Sequence, residues 1–413
     1  MGRRTSSGLV TILLLLAASF VFAMFQGGFV SWFIFYAFLP VAILALILTL
    51  FGLSQVSVER RISHTHCRSG ETVEVVLEIK NPYRLPLLYL TVTDWLPPGL
   101  DQEGQKVELV AYPAFRKKCS LSYTIGPLPR GDYRWRQLDL ATGDFFGLVK
   151  SFKRVAAPAR LLVYPRYHPI ELWELTPHTG WGRYQTFNWA NRGEDAPFVV
   201  GVRDYVAGDR LTRIHWKASA RSGGLKSKEF EYQTAQEVML FLNREQKAYG
   251  GQQSLFERAV AWCASLAHHA LTQHISCGLV SAGAVHTLIP LDQGQVQRQR
   301  IFDHLVYVQP DAYYPFVQTV MQEAAQLTPG VTAALITPVF DQRLLQLIAT
   351  LARRRIQTQL FLIKNGKPTR DEDRLLARLP KKGIQVFIIT SDRFPNRLLR
   401  RDAHGSTTIQ VRG

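Results

Sequence analysis

This 413-residue sequence lacks the patterns that most often announce an enzyme. It has no G-x-x-x-x-G-K-[ST] loop and no G-x-G-x-x-G following a strand, so it offers no P-loop and no dinucleotide-binding turn. H-E-x-x-H is absent. His268 and His269 are adjacent, and neighbouring helical residues point about 100° apart, which suits packing or solvation better than a shared metal. No Ser, His and acid cluster is visible by spacing, although a catalytic triad need not be local. Cysteine is scarce: Cys67, Cys119, Cys263 and Cys277 have no C-x-x-C spacing, which suits free thiols in a reduced compartment. Were the chain exported instead, Cys67 and Cys119 would be a candidate disulfide pair. Acid is also in deficit, with 32 Asp and Glu against 49 Lys and Arg, for a net charge of +17. That excess suits anionic lipid, nucleic acid or an acidic partner, and does not choose among them.

Two apolar runs narrow the choice. Residues 9–25 (LVTILLLLAASFVFAMF) and 29–53 (FVSWFIFYAFLPVAILALILTLFGL) contain no ionisable side chain. A spanning helix needs about 20 apolar residues, so the pair reads as a transmembrane helical hairpin within residues 1–54, closed by a short QGG turn. The alternative is a signal peptide followed by one anchor, with Arg3 and Arg4 as its charged region. Arg3 and Arg4 before the hairpin and Arg60 and Arg61 after it, with no Lys or Arg in the turn, predict both ends in the cytoplasm. The expected location is the inner (plasma) membrane, multi-pass, with the soluble domains cytoplasmic. Lys and Arg beside an anionic leaflet account for part of the basic excess.

Residues 55–165 alternate apolar and polar side chains (ETVEVVLEIKN, LLYLTVTDWLP, KVELVAYP, KKCSLSYTIG) between Pro and Gly turns, which predicts an all-β sandwich of about seven strands. Tyr133, Trp135, Phe145 and Phe146 read as its core. Residues 166–235 form a polar connecting segment. Residues 236–392 change period: QEVMLFLN, VTAALITPV, IQTQLFLIK and IQVFIIT are fully apolar strands between amphipathic helices, one of them carrying Leu255, Ala259, Cys263, Leu266 and Ala270. That alternation predicts a doubly wound α/β domain with a largely parallel sheet. Residues 393–413 read as a basic tail.

The most polar stretch is RDYVAGDRLTRIHWKASARSGGLKSKEFEY, from residue 203. Arg203, Arg210, Arg213, Lys217, Arg221, Lys226 and Lys228 could meet phosphates, but Asp204, Asp209, Glu229 and Glu231 offset them, so nucleic acid is not expected. Arg–carboxylate pairs, with Trp216 inserted, would instead pin the segment to the edge of the α/β sheet. His215 and Lys217 form an H-x-K pair that resembles the start of H-x-K-x-x-x-x-D in phospholipase D-type enzymes. Ser222 stands where the Asp would be, and there is no second copy. A hydrolase of a phosphodiester or cell-envelope substrate using His215, Asp209 and Lys217 is the alternative reading.

R-D-Y-V-A-G-D (203–209), R-I-H-W-K-A-S-A-R (213–221) and K-E-F-E (228–231) resemble the signature of the domain of unknown function 58 family. GPLPRGDYRWRQLDLATGDFFGLVKS and LLVYP are similar to segments upstream in that family. The signature residues here are Arg203, Tyr205, Gly208, Asp209, Arg213, His215, Trp216, Lys217, Arg221 and Glu229. The resemblance implies a membrane-anchored adaptor or assembly factor with a von Willebrand factor A-like C-terminal domain and a MoxR-type AAA+ ATPase as partner. The chemistry of that role is unsettled; no catalytic set is recognisable in these residues, and no cofactor is expected. A von Willebrand type A domain holds Mg²⁺ through D-x-S-x-S after its first strand. Here that strand ends in Asn243, Arg244 and Glu245, with Thr337 and Pro338 near the next ligand position, so no Mg²⁺ site is expected.

Overall fold

The structure is a computed structural model of the chain, describing residues 6–51, 53–82, 87–100, 106–114, 116–143, 150–173, 175, 198–206, 211–231, 236–328, 330–366, 368–379, 384–390, 397–398 and 408–411. It divides into two compact units, one of residues Met1–Arg166 with Phe302–Val308, the other of Tyr167–Ile301 with Gln309–Gly413.

The first unit opens with helices α1 (Ser6–Gln26) and α2 (Phe29–Phe51). Gly27 and Gly28 join them at φ values of 59° and 86°, a left-handed turn that side-chain-bearing residues resist. Ile12 on α1 packs with Ala42 and Ala45 on α2, small residues that let the backbones approach closely. The stretch Phe29–Ile47 of α2 has a mean hydropathy of 2.4 and is long and apolar enough to cross a membrane; the apolar part of α1, Val10–Gln26, is shorter.

Among the described residues eight strands follow: β1 (Ser57–Ile62), β2 (His66–Arg68), β3 (Val73–Lys80), β4 (Leu90–Trp95), β5 (Lys106–Ala111), β6 (Lys118–Ile125), β7 (Gly131–Gly143) and β8 (Lys150–Tyr164). One sheet has the order β1-β3-β6, the other β2-β8-β7-β4-β5. Val73, Val75, Leu77 and Ile79 alternate inward along β3, and with Leu90, Val92, Leu138 and Leu140 they make the apolar interior. Tyr133 and Trp135 are buried as core; Phe145 and Phe146 lie outside the described residues. All four cysteines are free. Burial pushes the thiols of Cys67 to about 11 and of Cys277 to about 12, and raises that of Cys263.

Arg60 differs from its sequence expectation. Its side chain is fully buried on β1 and forms a two-point ion pair with Asp94 on β4, while its third nitrogen donates to the Ala157 carbonyl. Tyr123 donates to the same carboxylate at 2.6 Å. Arg60 therefore clamps the two sheets together and does not mark the membrane surface. Trp135 lies under the guanidinium, 5.8 Å from ring centroid to carbon.

In the second unit, β9 (Leu172–Trp173) is followed by β10 (Phe198–Asp204), α3 (Trp216–Ser222) and β11 (Lys226–Glu231). Then come β12 (Glu237–Leu242), α4 (Gln253–Thr272), β13 (Ser276–Ala282), β14 (His286–Asp292), α5 (Gly294–Tyr307), of which the residues from Phe302 belong to the first unit, α6 (Phe316–Ala324), β15 (Thr332–Thr337), α7 (Gln342–Arg353), β16 (Gln357–Ile363), α8 (Arg370–Leu376), β17 (Ile384–Ile389), β18 (Arg397–Leu398) and β19 (Thr408–Val411). The large sheet has the order β14-β13-β12-β15-β16-β17-β19, parallel except for β14. Met239 and Phe241 face α6 and α7 through Val320, Leu347 and Ile348. On the opposite face Trp262 of α4 meets Phe361, which stacks on Phe387 at 4.8 Å. Covering both faces explains why these strands carry unbroken apolar runs.

The expected basic tail contains structure. β19 adds in parallel to β17, and β18 pairs with β9. Thr408-Ile409-Gln410-Val411 has the β-branched residues of a strand, which the Arg-rich residues ahead of it obscure in a composition reading.

Candidate functional site

The signature segment folds as a small module of its own. β10 and β11 pair antiparallel, with Arg203 opposite Ser227 and Asp204 opposite Lys226, in a two-stranded sheet separate from the large one. Lys226 Nζ reaches Asp204 Oδ1 at 2.6 Å, an ion pair within the module that joins its own two strands and does not pin it to the large sheet.

The H-W-K-A-S-A-R run is read locally as a helix start. Ile214 is buried and bridges to Ser227. His215 precedes the first turn of α3; its backbone N–H donates to Lys226 O at 2.8 Å and its Nδ1 accepts from Ala218 N at 3.1 Å. Ser219 accepts from Lys226 N at 2.8 Å and donates to His215 O, fastening helix to strand. Gly223 closes the helix at φ 69°, where glycine costs least. Ser219 and Ile214 are thus structural members of the signature that residue type alone did not single out.

Trp216 is not inserted anywhere. It is 66% exposed at the first turn of a seven-residue helix with no buried residue, because Ile214, outside the helix, supplies the buried anchor. Leu211 is 70% exposed, and Val202, Val206 and Leu225 are exposed too. Lys217 and Arg221 are exposed, Arg203 is exposed with its guanidinium donating to Asp204 O, and Tyr205 and His215 are half-buried. Gly208 and Asp209 lie outside the described residues; Arg213 and Glu229 are placed by backbone alone, in the 3-10 turn Leu211–Arg213 and in β11.

A second polar cluster sits at the carboxyl ends of β12, β13 and β15, where the strand order reverses and doubly wound sheets take ligands. Asn243 Nδ2 donates to Thr337 Oγ1 at 3.0 Å, and its Oδ1 accepts from Glu245 N at 2.7 Å. Arg244 is buried, donating to Asp311 Oδ1 at 2.7 Å, Gln309 O at 2.9 Å and Ser281 Oγ at 3.3 Å. Further along the sheet, burial opposes ionisation of Glu372, but hydrogen bonds from Lys364 and from the Thr369 and Phe340 backbones outweigh it and hold its carboxyl below the usual range. Each polar group here is engaged by its neighbours. Among the described residues no three His, Cys, Asp or Glu side chains are grouped to hold a metal. His269 is buried with Nδ1 on Ile170 O at 2.6 Å, and His268 packs on Tyr167, so both are packing residues.

Comparison with known proteins agrees with the signature. Residues 201–329 match the family model described as "Protein of unknown function DUF58". The chain is 29% identical over 391 residues to "Uncharacterized protein YeaD" of Bacillus subtilis (strain 168), covering 93% of this chain and 96% of that protein. Among solved structures, the CARDB domain of the PF1109 protein from Pyrococcus furiosus aligns with a TM-score of 0.18 at 13% identity, over 26% of this chain and 92% of that one. The sporulation control protein Spo0M from Bacillus subtilis aligns with a TM-score of 0.15 at 12% identity, over 26% and 49%. Neither alignment carries an argument about function.

Proposed function

We propose that this chain is a membrane-anchored cytoplasmic adaptor or assembly factor that works by protein contact, and that the module from Phe198 to Glu231 is its docking face. The observation that carries this reading is the exposure of Trp216 and Leu211, with Val202, Val206 and Leu225, on a module whose helix is already fastened to its strand through His215 and Ser219. Trp216 with the exposed Arg203 and Arg221 supplies residue types enriched at binding hot spots, and the exposed aliphatic side chains of the same module add apolar surface to them. The partner is a MoxR-type AAA+ ATPase, as the family resemblance implies. The two apolar helices are the anchor, spanning the membrane as a hairpin with both soluble units on the cytoplasmic side.

The large sheet is von Willebrand factor A-like in this reading, supported by its reversed strand order and single antiparallel edge strand β14. The Mg²⁺ of such domains does not fit these residues. Arg244 places a buried guanidinium, paired with Asp311, at the end of β12, and Asn243 spends its amide on Thr337 and Glu245. A divalent ion would meet a fixed positive charge there.

The hydrolase reading is weakened by the chemistry of His215. Its Nδ1 accepts a hydrogen bond, so the neutral ring carries its proton on Nε2 and offers no lone pair there for attack or proton abstraction.

Co-purification of the tagged full-length chain with the ATPase from solubilised membranes tests the proposal. Trp216→Ala and Leu211→Ser are expected to lose the ATPase, while Val285→Ser, at another exposed apolar position, retains it. Retention by all three would overturn the assignment of the docking face.

A further inference from the structure

The β-sandwich carries an apolar and basic rim at the end from which the anchor emerges. Ser57, the first residue of β1, pairs with Lys80, and Lys80 pairs with Lys118, so these residues mark the strand ends nearest α2. Lys153, near the start of β8, donates to the carbonyls of Ser54 and Val56 and brings the second sheet to the same junction.

Outward-facing residues at this end are unusually apolar. Pairing places Val110, Thr91, Ala141 and Phe152 in one row across four strands of the second sheet. Val110 and Phe152 are exposed, and Tyr112, just beyond β5, is 73% exposed, as Leu88 is to a lesser degree. One row further from the anchor, about 7 Å along the strands, the same face turns polar with Glu108, Thr93, Asp139 and Arg154. There Arg154 and Trp95 both bond Asp139. Arg116 and Lys117, between Tyr112 and β6, and Lys118, the first residue of β6, stand exposed, and Lys150 is exposed beside Phe152.

We infer that this rim is a second membrane contact: it lies on the anionic phospholipid surface, with Tyr112, Val110 and Phe152 entering the headgroup boundary and Arg116, Lys117 and Lys118 meeting lipid phosphates. The inference rests on the reading that α1 and α2 span the bilayer. Three observations favour lipid over a protein as occupant. The patch flanks Lys153, which is tied to the residues just after the most apolar helix, its apolar-to-polar change runs away from the anchor, and its flanking charges are basic, the complement of an anionic leaflet. Tyrosine is also a side chain suited to the membrane–water boundary. The consequence is a sandwich held in a fixed attitude on the membrane, not swinging from a flexible stalk.

Nitroxide labels on the full-length chain in vesicles test this. In a Cys119→Ser background, with the other three cysteines buried, labels are placed at Tyr112→Cys, Phe152→Cys, Glu108→Cys and, within α2, Phe38→Cys. Collision with oxygen, which concentrates in lipid, is compared with collision with a water-soluble nickel chelate. In vesicles of phosphatidylglycerol and phosphatidylcholine, the oxygen-to-nickel ratio should be several-fold higher at 112 and 152 than at 108. It should fall toward the value at 108 in phosphatidylcholine alone, or when Arg116, Lys117 and Lys118 are all replaced by Gln. A water-like ratio at 112 and 152 with a lipid-like ratio at 38 overturns the inference and leaves the anchor standing. Shielding of 112 and 152 from both reagents means that protein covers the rim, and also overturns it. A water-like ratio at 38 removes the spanning reading and the inference with it.

Discussion

Lys153 Nζ donates to the backbone carbonyl of Ser54 at 2.8 Å and of Val56 at 3.0 Å, so one side chain holds the exit from α2 against the edge of the β-sandwich. A flexible linker would have let the sandwich turn freely beneath its anchor; this joint does not. Lys153→Met should cost about 1–2 kcal/mol, the loss of charge-assisted hydrogen bonds to two carbonyls that water can partly replace. A nitroxide at Gln55 should become more mobile in the variant, whereas Lys153→Arg should keep the label immobilised. Equal mobility in all three proteins would remove the joint from the account.

The Arg60–Asp94 pair should dominate the stability of the first unit. Removing one member of a buried ion pair leaves the other uncompensated, at about 3–5 kcal/mol. Arg60→Ala is therefore expected to lower the midpoint of denaturation of the full chain in detergent sharply. The double variant Arg60→Met, Asp94→Leu, which removes both charges, should recover much of the loss. A double variant as unstable as the single one would contradict the uncompensated-charge explanation.

Acid should weaken the same unit in a defined window. Hydrogen bonds from Arg160, opposed by desolvation and reinforced by Arg134, hold the Asp132 carboxyl down to about 2. An unfolded Asp titrates near 3.9, so the contribution is full above that value and is lost as pH falls from about 4 to 2. Both arginines are exposed and screened, which limits the effect to about 1 kcal/mol. Asp132→Asn should flatten the pH dependence of the melting temperature in that window; an unchanged slope would assign it to other carboxylates.

Gly283 tests the closed crevice of the second unit. A β-carbon there would overlap the Arg244 guanidinium and Asp311 Oδ1, both held in a partly buried pair. Gly283→Ala should destabilise by about 1–3 kcal/mol through overpacking. Combining it with Arg244→Ala and Asp311→Ala should cost no more than those two substitutions alone, since both overlaps are then gone. Additive losses would show that the glycine serves another purpose.

Periodicity made much of this architecture legible. Strict alternation in Val73–Lys80 marks a strand with one buried face, and the unbroken apolar run of Val238–Leu242 marks a sheet covered on both sides. Residues whose role depends on a distant partner were not legible. Arg60 looked like a membrane-surface charge because Asp94, 34 positions away, could not be seen to face it. Trp216 looked like a core anchor because aromatic residues usually are, yet Ile214, two positions earlier, takes the buried place and turns the indole outward. In the signature, His215 and Ser219 have a simple structural reason to be polar, one starting α3 and the other tying it to β11. The exposed residues around them have no such internal reason, and it is these that the docking proposal uses.

A photoreactive phenylalanine analogue at position 216 of the full-length chain, irradiated in native membranes, tests the central claim most directly. The account predicts one discrete adduct containing a MoxR-type AAA+ ATPase, strongly reduced by Leu211→Ser and absent when the analogue is placed at Val285. Irradiation that yields no adduct at 216, or the same adducts at 216 and 285, would contradict it.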